Sequence, residues 1–268
     1  MNGLYLSDIY IYPIKSLGGI RLEQAQLEER GLKYDRRWML IDEGGVFITQ
    51  RKYPALALFQ LRLGGGKLFI CHKKHAEQQI SFEVEEQFGA PIQVSVWEDD
   101  LQALEVNPEV SRWFSQLMDM NLRLVVMPAQ ERRAVDPRYA TKQEIVSFAD
   151  GYPCLIIGQA SLDQLNQKLE VPVLMDRFRP NLVFRGGIPH QEDDFHTFYI
   201  GAARFTAVKP CARCVLITVD QQNGTKGAEP LKTLAGYRTF DKKVLFGQNL
   251  LHEGFGTLRI GDEIRFPD

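Results

Sequence analysis

Apolar and polar positions alternate with period two along much of the first hundred residues. Residues 4–12 mostly alternate, and 37–41, 45–50, 56–63, 67–71, 80–84 and 92–97 follow as short strand-like runs broken by Gly, Pro or charge. Period two puts one face of a strand on a core and the other toward solvent, and so many short strands suit a barrel or sandwich. The period changes over 107–120, where Val110, Trp113, Phe114, Leu117 and Met118 recur on one helical face. Asn107 can cap that helix and Pro108 fits its first position, and the helix is expected to pack between or beside two halves. From residue 122 the pattern restarts. Residues 122–127 read as an apolar strand and 130–143 as a charged loop, while Ser161 with Gln164 reads as a capping box opening an amphipathic helix through Leu165 and Leu169. Residues 198–208, 215–219 and 256–266 read as further strands, with a short Pro230-led helix between them. The expectation is a mixed α/β, strand-rich chain in two domains, 1–121 and 122–268.

Composition adds the setting. The 268 residues suffice for a sizeable core, and 44% hydrophobic with 25% charged residues is ordinary for a soluble globular protein. A net charge of -2 gives no general attraction to nucleic acid or acidic membranes. No apolar run approaches the roughly 20 residues of a membrane span, and the N-terminus lacks a signal-peptide pattern. These features lead us to expect a cytoplasmic protein with no nucleic-acid or membrane partner. Cys71 and Cys154 stand apart in apolar stretches and read as buried small hydrophobes. Cys71-His72-Lys73-Lys74-His75 mimics a metal motif, but its two lysines would repel a cation, and it reads as a solvated turn.

The other two cysteines, Cys211 and Cys214, form a C-x-x-C that includes Arg213, follows Lys209 and precedes the 215–219 run. Four readings are open. A structural zinc site needs four ligands, and no second pair stands at suitable spacing. A thioredoxin-type dithiol sits at a helix N-terminus, whereas 215–219 is β-branched and strand-like. The pair can also be incidental in a turn. The fourth reading is one thiolate on a metal whose other ligands come from a cofactor, with Lys209 and Arg213 favouring the ionised thiol and able to meet a phosphate. That reading requires anion-binding residues elsewhere. They occur as Lys15 and Ser16 after the first strand, Arg36 and Arg37 beside Asp35, and Arg177, Arg179 and Asn181. The planar fork of Arg suits phosphate and pterin carbonyl groups, although Asp35 can itself pair with Arg36 or Arg37. Arg132, Arg133, Arg138 and Lys142 form a basic cluster that reads either as solvated surface or as a docking patch for an acidic electron donor.

Taken together, Tyr12-Pro13-Ile14-Lys15-Ser16, Asp35-Arg36-Arg37-Trp38, Ser147-Phe148-Ala149-Asp150-Gly151-Tyr152-Pro153, Phe178-Arg179-Pro180-Asn181, Arg213-Cys214 and Phe246-Gly247-Gln248-Asn249 resemble the MOSC superfamily. The likeness is greatest to the bacterial YcbX-like proteins and the mitochondrial amidoxime-reducing component, and it spans essentially the whole chain. It implies a MOSC-associated N-terminal β-barrel followed by a MOSC-type β-barrel with flanking helices. It also implies a molybdenum cofactor (Mo-molybdopterin) whose metal takes Cys214 as its protein ligand and catalytic residue, with Cys211 a flanking position. Lys15, Ser16, Arg36, Arg179, Asn181, Ala212 and Arg213 would then contact the pterin and its phosphate. Phe148, Ala149, Asp150 and Asn249 would line the same pocket.

The implied activity is reductive removal of oxygen from small N-hydroxylated bases, amidoximes or hydroxylamines. The other class is a non-catalytic cofactor carrier or sulfur relay. Two departures stand out. Where the mitochondrial relatives carry an acidic residue near the metal, this chain reads Arg185-Gly186-Gly187-Ile188-Pro189, and the nearby Glu192, Asp193 and Asp194 read as a solvated acidic loop, leaving the proton donor unassigned. Some YcbX-like proteins also carry a ferredoxin domain with four cluster cysteines. These 268 residues hold no such set, which implies electrons from a separate ferredoxin, flavodoxin or flavin reductase.

Overall fold

The computed structural model describes residues 3–267. Its largest sheet has nine strands, and eight follow the order Ile20–Leu22, Tyr5–Ile11, Leu182–Arg185, Cys154–Gly158, Lys243–Glu253, Ala203–Arg213, Thr197–Ile200 and Ile264–Arg265. The first strand of the chain thus lies inside the sheet of the second half, where Ile9 opposes Leu182. Gln24–Glu28 likewise pairs with Gly256–Arg259 near the other end of the chain. The first half adds a four-stranded sheet ordered Trp38–Ile41, Arg123–Val126, Asp99–Glu105, Phe88–Val96, and a three-stranded sheet Phe59–Gly64, Lys67–His72, His75–Glu83.

The fold is mixed α/β and strand-rich, with two sheet-rich domains and flanking helices. No sheet is traced as one closed ladder among the described residues. Among the described residues no ladder joins the outer strands of the large sheet, but its flanks meet through the isolated bridge of Tyr5 with Glu263 and through three backbone hydrogen bonds, Leu6 N to Asp262 O, Gly261 N to Leu6 O and Ile264 N to Leu4 O.

Helix α1, Pro108–Met118, forms as its pattern requires. The Asn107 Oδ1 accepts the Glu109 N–H at 2.7 Å, Val110 and Phe114 are buried, and Asp119 ends the helix with a left-handed φ of 50°. Its apolar face packs with Phe59, Leu68, Phe82 and Leu124 in the core of the first half. Helix α2, Gln159–Asn166, corrects the capping-box expectation, since Gly158 stands at its N-cap without a side-chain cap. Ser161 and Gln164 are instead engaged across the helix by 190–192. The Ser161 Oγ donates to Glu192 Oε2 at 2.8 Å, and Gln164 Oε1 lies 2.9 Å from the His190 ring. Helix α3, Leu231–Arg238, follows Pro230.

The acidic loop is corrected at one residue. Glu192 is 0% exposed, and its carboxylate also takes the Gly158 N–H at 3.2 Å, at the N-terminus of α2. Burial pushes its pKa up to about 7, against the lowering effect of these hydrogen bonds. The folded carboxyl holds its proton more tightly than the unfolded one, so its contribution to stability is complete below its ordinary value of 4.5 and is lost as pH rises toward 7. His190, whose pKa burial lowers to about 4, acts with the opposite sign below its ordinary value of 6.5. The difference between wild type and Glu192→Gln isolates the carboxyl. Urea titrations should find wild type losing about 2–3 kcal/mol relative to the variant between pH 4.5 and pH 7.5. A pH-independent difference would refute the assignment.

Candidate functional site

Four distant stretches converge on one cavity of about 300 Å³, and backbone hydrogen bonds set their order. Trp38 N donates to Pro13 O and Lys15 N to Trp38 O, Arg36 N donates to Tyr12 O, and Phe148 N donates to Arg36 O at 2.9 Å. Three residues at these joints, Ser16, Arg36 and Arg179, hold left-handed φ values of 69°, 49° and 54°. Non-glycine residues adopt that region at a cost and concentrate in it at functional sites.

The cavity is cationic. Lys15, Arg36, Arg51, Arg179, Lys209 and Arg213 line it against the single carboxylate of Asp150. The buried Tyr12 ring separates two of the guanidinium groups, with Arg36 4.3 Å from its centroid and Arg179 4.2 Å from it. Arg36 Nη1 donates to both carboxylate oxygens of buried Asp35, at 2.8 and 2.6 Å, which settles that pairing, and Arg36 Nη2 donates to Arg179 O at 3.1 Å. Arg179 donates to Leu17 O at 2.6 Å. Burial, and then the charge of Arg36, lowers the Arg179 pKa to about 10, which leaves it charged at neutral pH. Arg213 donates to Phe246 O at 2.8 Å and Phe178 O at 2.9 Å, while its buried Nη2 has no partner. A buried guanidinium donor without an acceptor, at the wall of a cationic cavity, leaves a place for an anionic or carbonyl oxygen.

Lys15 is buried, and its Nζ donates to Phe148 O at 2.7 Å and Asp150 Oδ1 at 2.6 Å. Burial lowers its pKa, and the Asp150 charge opposes that shift. Burial would raise the Asp150 pKa, but Lys15 and the Trp97 Nε1–H at 3.2 Å reverse this and hold it well below the carboxylate range. The Asp150 side chain is 71% exposed, so the ion pair outweighs burial there. Lys15 and Trp97 both occupy Oδ1, which leaves Oδ2 as a free acceptor.

All the expected site residues line this cavity except Phe148. The Phe148 ring is buried with Met39, Val125 and Met127 in the core of the first half, and only its carbonyl meets a site residue. Asn181 is largely spent on the scaffold: its amide accepts the Leu155 N–H and donates to Tyr10 O, both at 3.2 Å. Asn249 donates to Lys209 O at 3.2 Å. Ala212 and Cys214 are exposed at the cavity. Arg37 and Arg177 turn elsewhere, the first to Met127 O at 3.2 Å and the second to Asp220 at 2.8 Å.

Two expectations around the cysteines are corrected. Residues 215–219 do not form a strand: Ala203–Arg213 is the strand, with a register shift between Pro210 and Ala212, and Cys214 opens a 3-10 turn, Val215–Thr218. The thiols also differ. Cys211 packs against the core that holds Phe178 and Phe246, and burial raises its pKa, with Arg213 opposing, whereas Cys214 stands exposed. Among the described residues no group of three or more His, Cys, Asp or Glu could hold a metal ion, so any metal here would need ligands from outside the chain. His72 and His75 merely stack, 5.0 Å apart. A larger cleft of about 1270 Å³ adjoins through Arg179 but contains neither Cys211 nor Cys214.

Residue patterns missed Arg133. Grouped by sequence with surface cations, it is buried and donates to Asp99 Oδ2 at 2.7 Å, to Ser147 O at 3.0 Å, and to the carbonyls of Ala149 and Asp150. With Lys15 on Phe148 O, two buried cations hold all four carbonyls of 147–150. No sequence signal separated it from its exposed neighbours Arg132 and Arg138.

Comparison with known proteins agrees with this arrangement. Residues 3–121 match the MOSC N-terminal beta barrel domain and residues 143–265 the MOSC domain. Mitochondrial amidoxime-reducing component 1 of Mus musculus is 31% identical over 97% of this chain and 81% of its own length. Its Homo sapiens counterpart is 30% identical over 97% and 82%. Molybdenum cofactor sulfurase of Oryza sativa subsp. japonica is 32% identical over 94% of this chain, which spans only 33% of that protein. The expected cytoplasmic location does not stand, because the relatives matched over most of their length are named as mitochondrial proteins. Both halves of the cavity wall, the Lys15 and Arg36 turns of the first match and the Arg179 and Cys214 segments of the second, lie within these matches, and the chain belongs to the MOSC superfamily.

Proposed function

We propose that the chain holds a molybdenum cofactor and reduces small N-hydroxylated compounds with electrons from a separate protein. The observation that carries this reading is the cationic cavity with an unpartnered Arg213 Nη2 in its wall and the exposed Cys214 thiol at its edge. The donor set fits an anionic pterin: Arg36, Arg179 and Arg213 meet phosphate or carbonyl oxygen, and Asp150 Oδ2 accepts a ligand N–H. Cys214 would supply the single protein sulfur, consistent with a soft metal's preference for thiolate. We further take the domain boundary to lie near residue 121, with the Tyr5–Ile11 strand crossing into the second half and the Arg123–Val126 strand crossing back to pair with Trp38–Ile41.

When bound, the cofactor supplies the two-electron chemistry, in which an N–OH group, two electrons and two protons give N–H and water. The chain's own work is to hold and orient. The clamp on 147–150 fixes Asp150, and the left-handed turns at Ser16 and Arg179 aim their neighbours into the cavity. Glu192 and Asp193 bond to α2 and to Arg238 and do not line the cavity, so the proton is not drawn from there.

A second reading, a cofactor carrier or sulfur relay, is favoured by the same exposed thiol and by the sulfurase relatives. One assay separates them. Purified protein containing molybdenum should reduce a hydroxylamine with viologen as artificial donor. Bound molybdenum without turnover would favour the carrier.

A further inference from the structure

The exposed cations of the two stretches considered for docking differ in how they are paired. In the run expected as a docking patch, every charge is matched. Arg132 pairs with Glu29, Arg138 with Asp136 at 2.6 Å and Lys142 with Glu253 at 2.8 Å, and Arg133 is buried on Asp99. Four other exposed lysines, Lys52, Lys226, Lys242 and Lys243, form no ion pair among the described residues.

These four stand on segments that adjoin the cavity wall. On one side Lys226 bridges Val219 through its backbone and donates to the carbonyl of Arg51, a cavity residue that Lys52 follows. On the other side the ladder sets Arg213 opposite Val244, and Phe240 opposite Lys243. The ladder ends there, with Cys214 following Arg213 at the end of one strand and Lys243 preceding Val244 in the other. Between the two basic flanks lie apolar groups without cover, Val215 at 41% and Phe240 at 68% exposure. The acids on these segments include Asp241, at the tip of the 240–243 hairpin, Asp150, already bound to Lys15, and Asp220, already bound to Arg177.

An apolar centre inside a ring of unpaired cations, around the place where electrons must arrive, is the anatomy of a small transient interface with an acidic partner. We propose that this face docks a small acidic electron-transfer protein, with Phe240 and Val215 at the contact centre and Lys52, Lys226, Lys242 and Lys243 steering the encounter. The assignment rests on the reading of Cys214 as metal ligand. A one-electron donor would dock twice per turnover, once for each electron that the N–OH reduction consumes.

The test uses the full chain and an acidic plant-type [2Fe–2S] ferredoxin as probe. Its dissociation constant is measured at low and high salt for wild type, Phe240→Ser, the double variant Lys242→Glu with Lys243→Glu, and Arg112→Glu on helix α1. The hairpin variants should bind at least about tenfold more weakly at low salt, the double variant should lose most of its salt dependence, and Arg112→Glu should match wild type. Viologen-driven turnover should be the same in all four. Unchanged ferredoxin affinity in the hairpin variants overturns the proposal. So does a wild-type dimer that Phe240→Ser splits, since a second copy would then be the occupant. Affinity is read without turnover, so an inactive protein that still loses ferredoxin binding in these variants would defeat the reductase reading and leave the docking face standing.

Discussion

Cys214→Ser should reduce viologen-driven turnover to background, while Cys211→Ala should keep it within about twofold per folded molecule. The two cysteines are three residues apart, yet the strand bulge and the turn after it give them different surroundings. Cys211 is packed against the Phe178 and Phe246 core, where burial disfavours its thiolate. Trimming it removes one sulfur from a packed wall, at a stability cost of about 1 kcal/mol. Cys214 faces the cavity at the end of the strand, with Arg213 fixed beside it by the Phe178 and Phe246 carbonyls. Serine retains the shape but not the soft donor, and among the described residues no group of three or more His, Cys, Asp or Glu could hold the metal in its place. Equal loss in both variants would mean that the pair acts as a dithiol.

The second large effect is expected at Arg133. Its removal strips a charged donor from the carbonyls of Ser147, Ala149 and Asp150, and the first two belong to buried residues. The cost should be about 3 kcal/mol or more, read as a shift of the urea midpoint for Arg133→Ala. The cavity should also suffer, because Ala149 and Asp150 are wall residues whose backbone is aimed by this clamp. Molybdenum retention, measured well inside the folded baseline, should fall about 10–100-fold, the usual penalty for losing an outer support. Arg133→Lys should restore part of the stability but not the retention, since one ammonium cannot span three carbonyls and Asp99. Full retention in Arg133→Ala would reduce the residue to a stabiliser of the fold.

Much of the site was legible because its residues have chemical identities that a sequence displays. Lys15, Arg36, Arg179 and Cys214 sit in short runs whose order can be read, and the cavity gathers them. Helix α1 was equally legible, since Asn107, Pro108 and the Val110 and Phe114 face are all local signals. What escaped depends on partners far along the chain. Residues 215–219 look like a strand by β-branching, but the Cys214 carbonyl takes the Ile217 N–H and closes a turn. Ser161 looks like a cap until Glu192, thirty-one residues on, recruits its hydroxyl. Arg133 and Arg132 are indistinguishable in sequence, and only Asp99 and the 147–150 carbonyls draw one of them inside. The placing of the Tyr5–Ile11 strand beside Leu182–Arg185 is another long-range pairing that no local pattern could announce.

The central claim is that one thiol of this chain, Cys214, holds the metal of a cofactor that the surrounding cations bind. Elemental analysis of molybdenum per chain, in wild type and Cys214→Ser purified side by side, tests it most directly. The account predicts near-stoichiometric molybdenum in wild type and a large loss in Cys214→Ser, with Cys211→Ala close to wild type. Molybdenum unchanged in Cys214→Ser would contradict it.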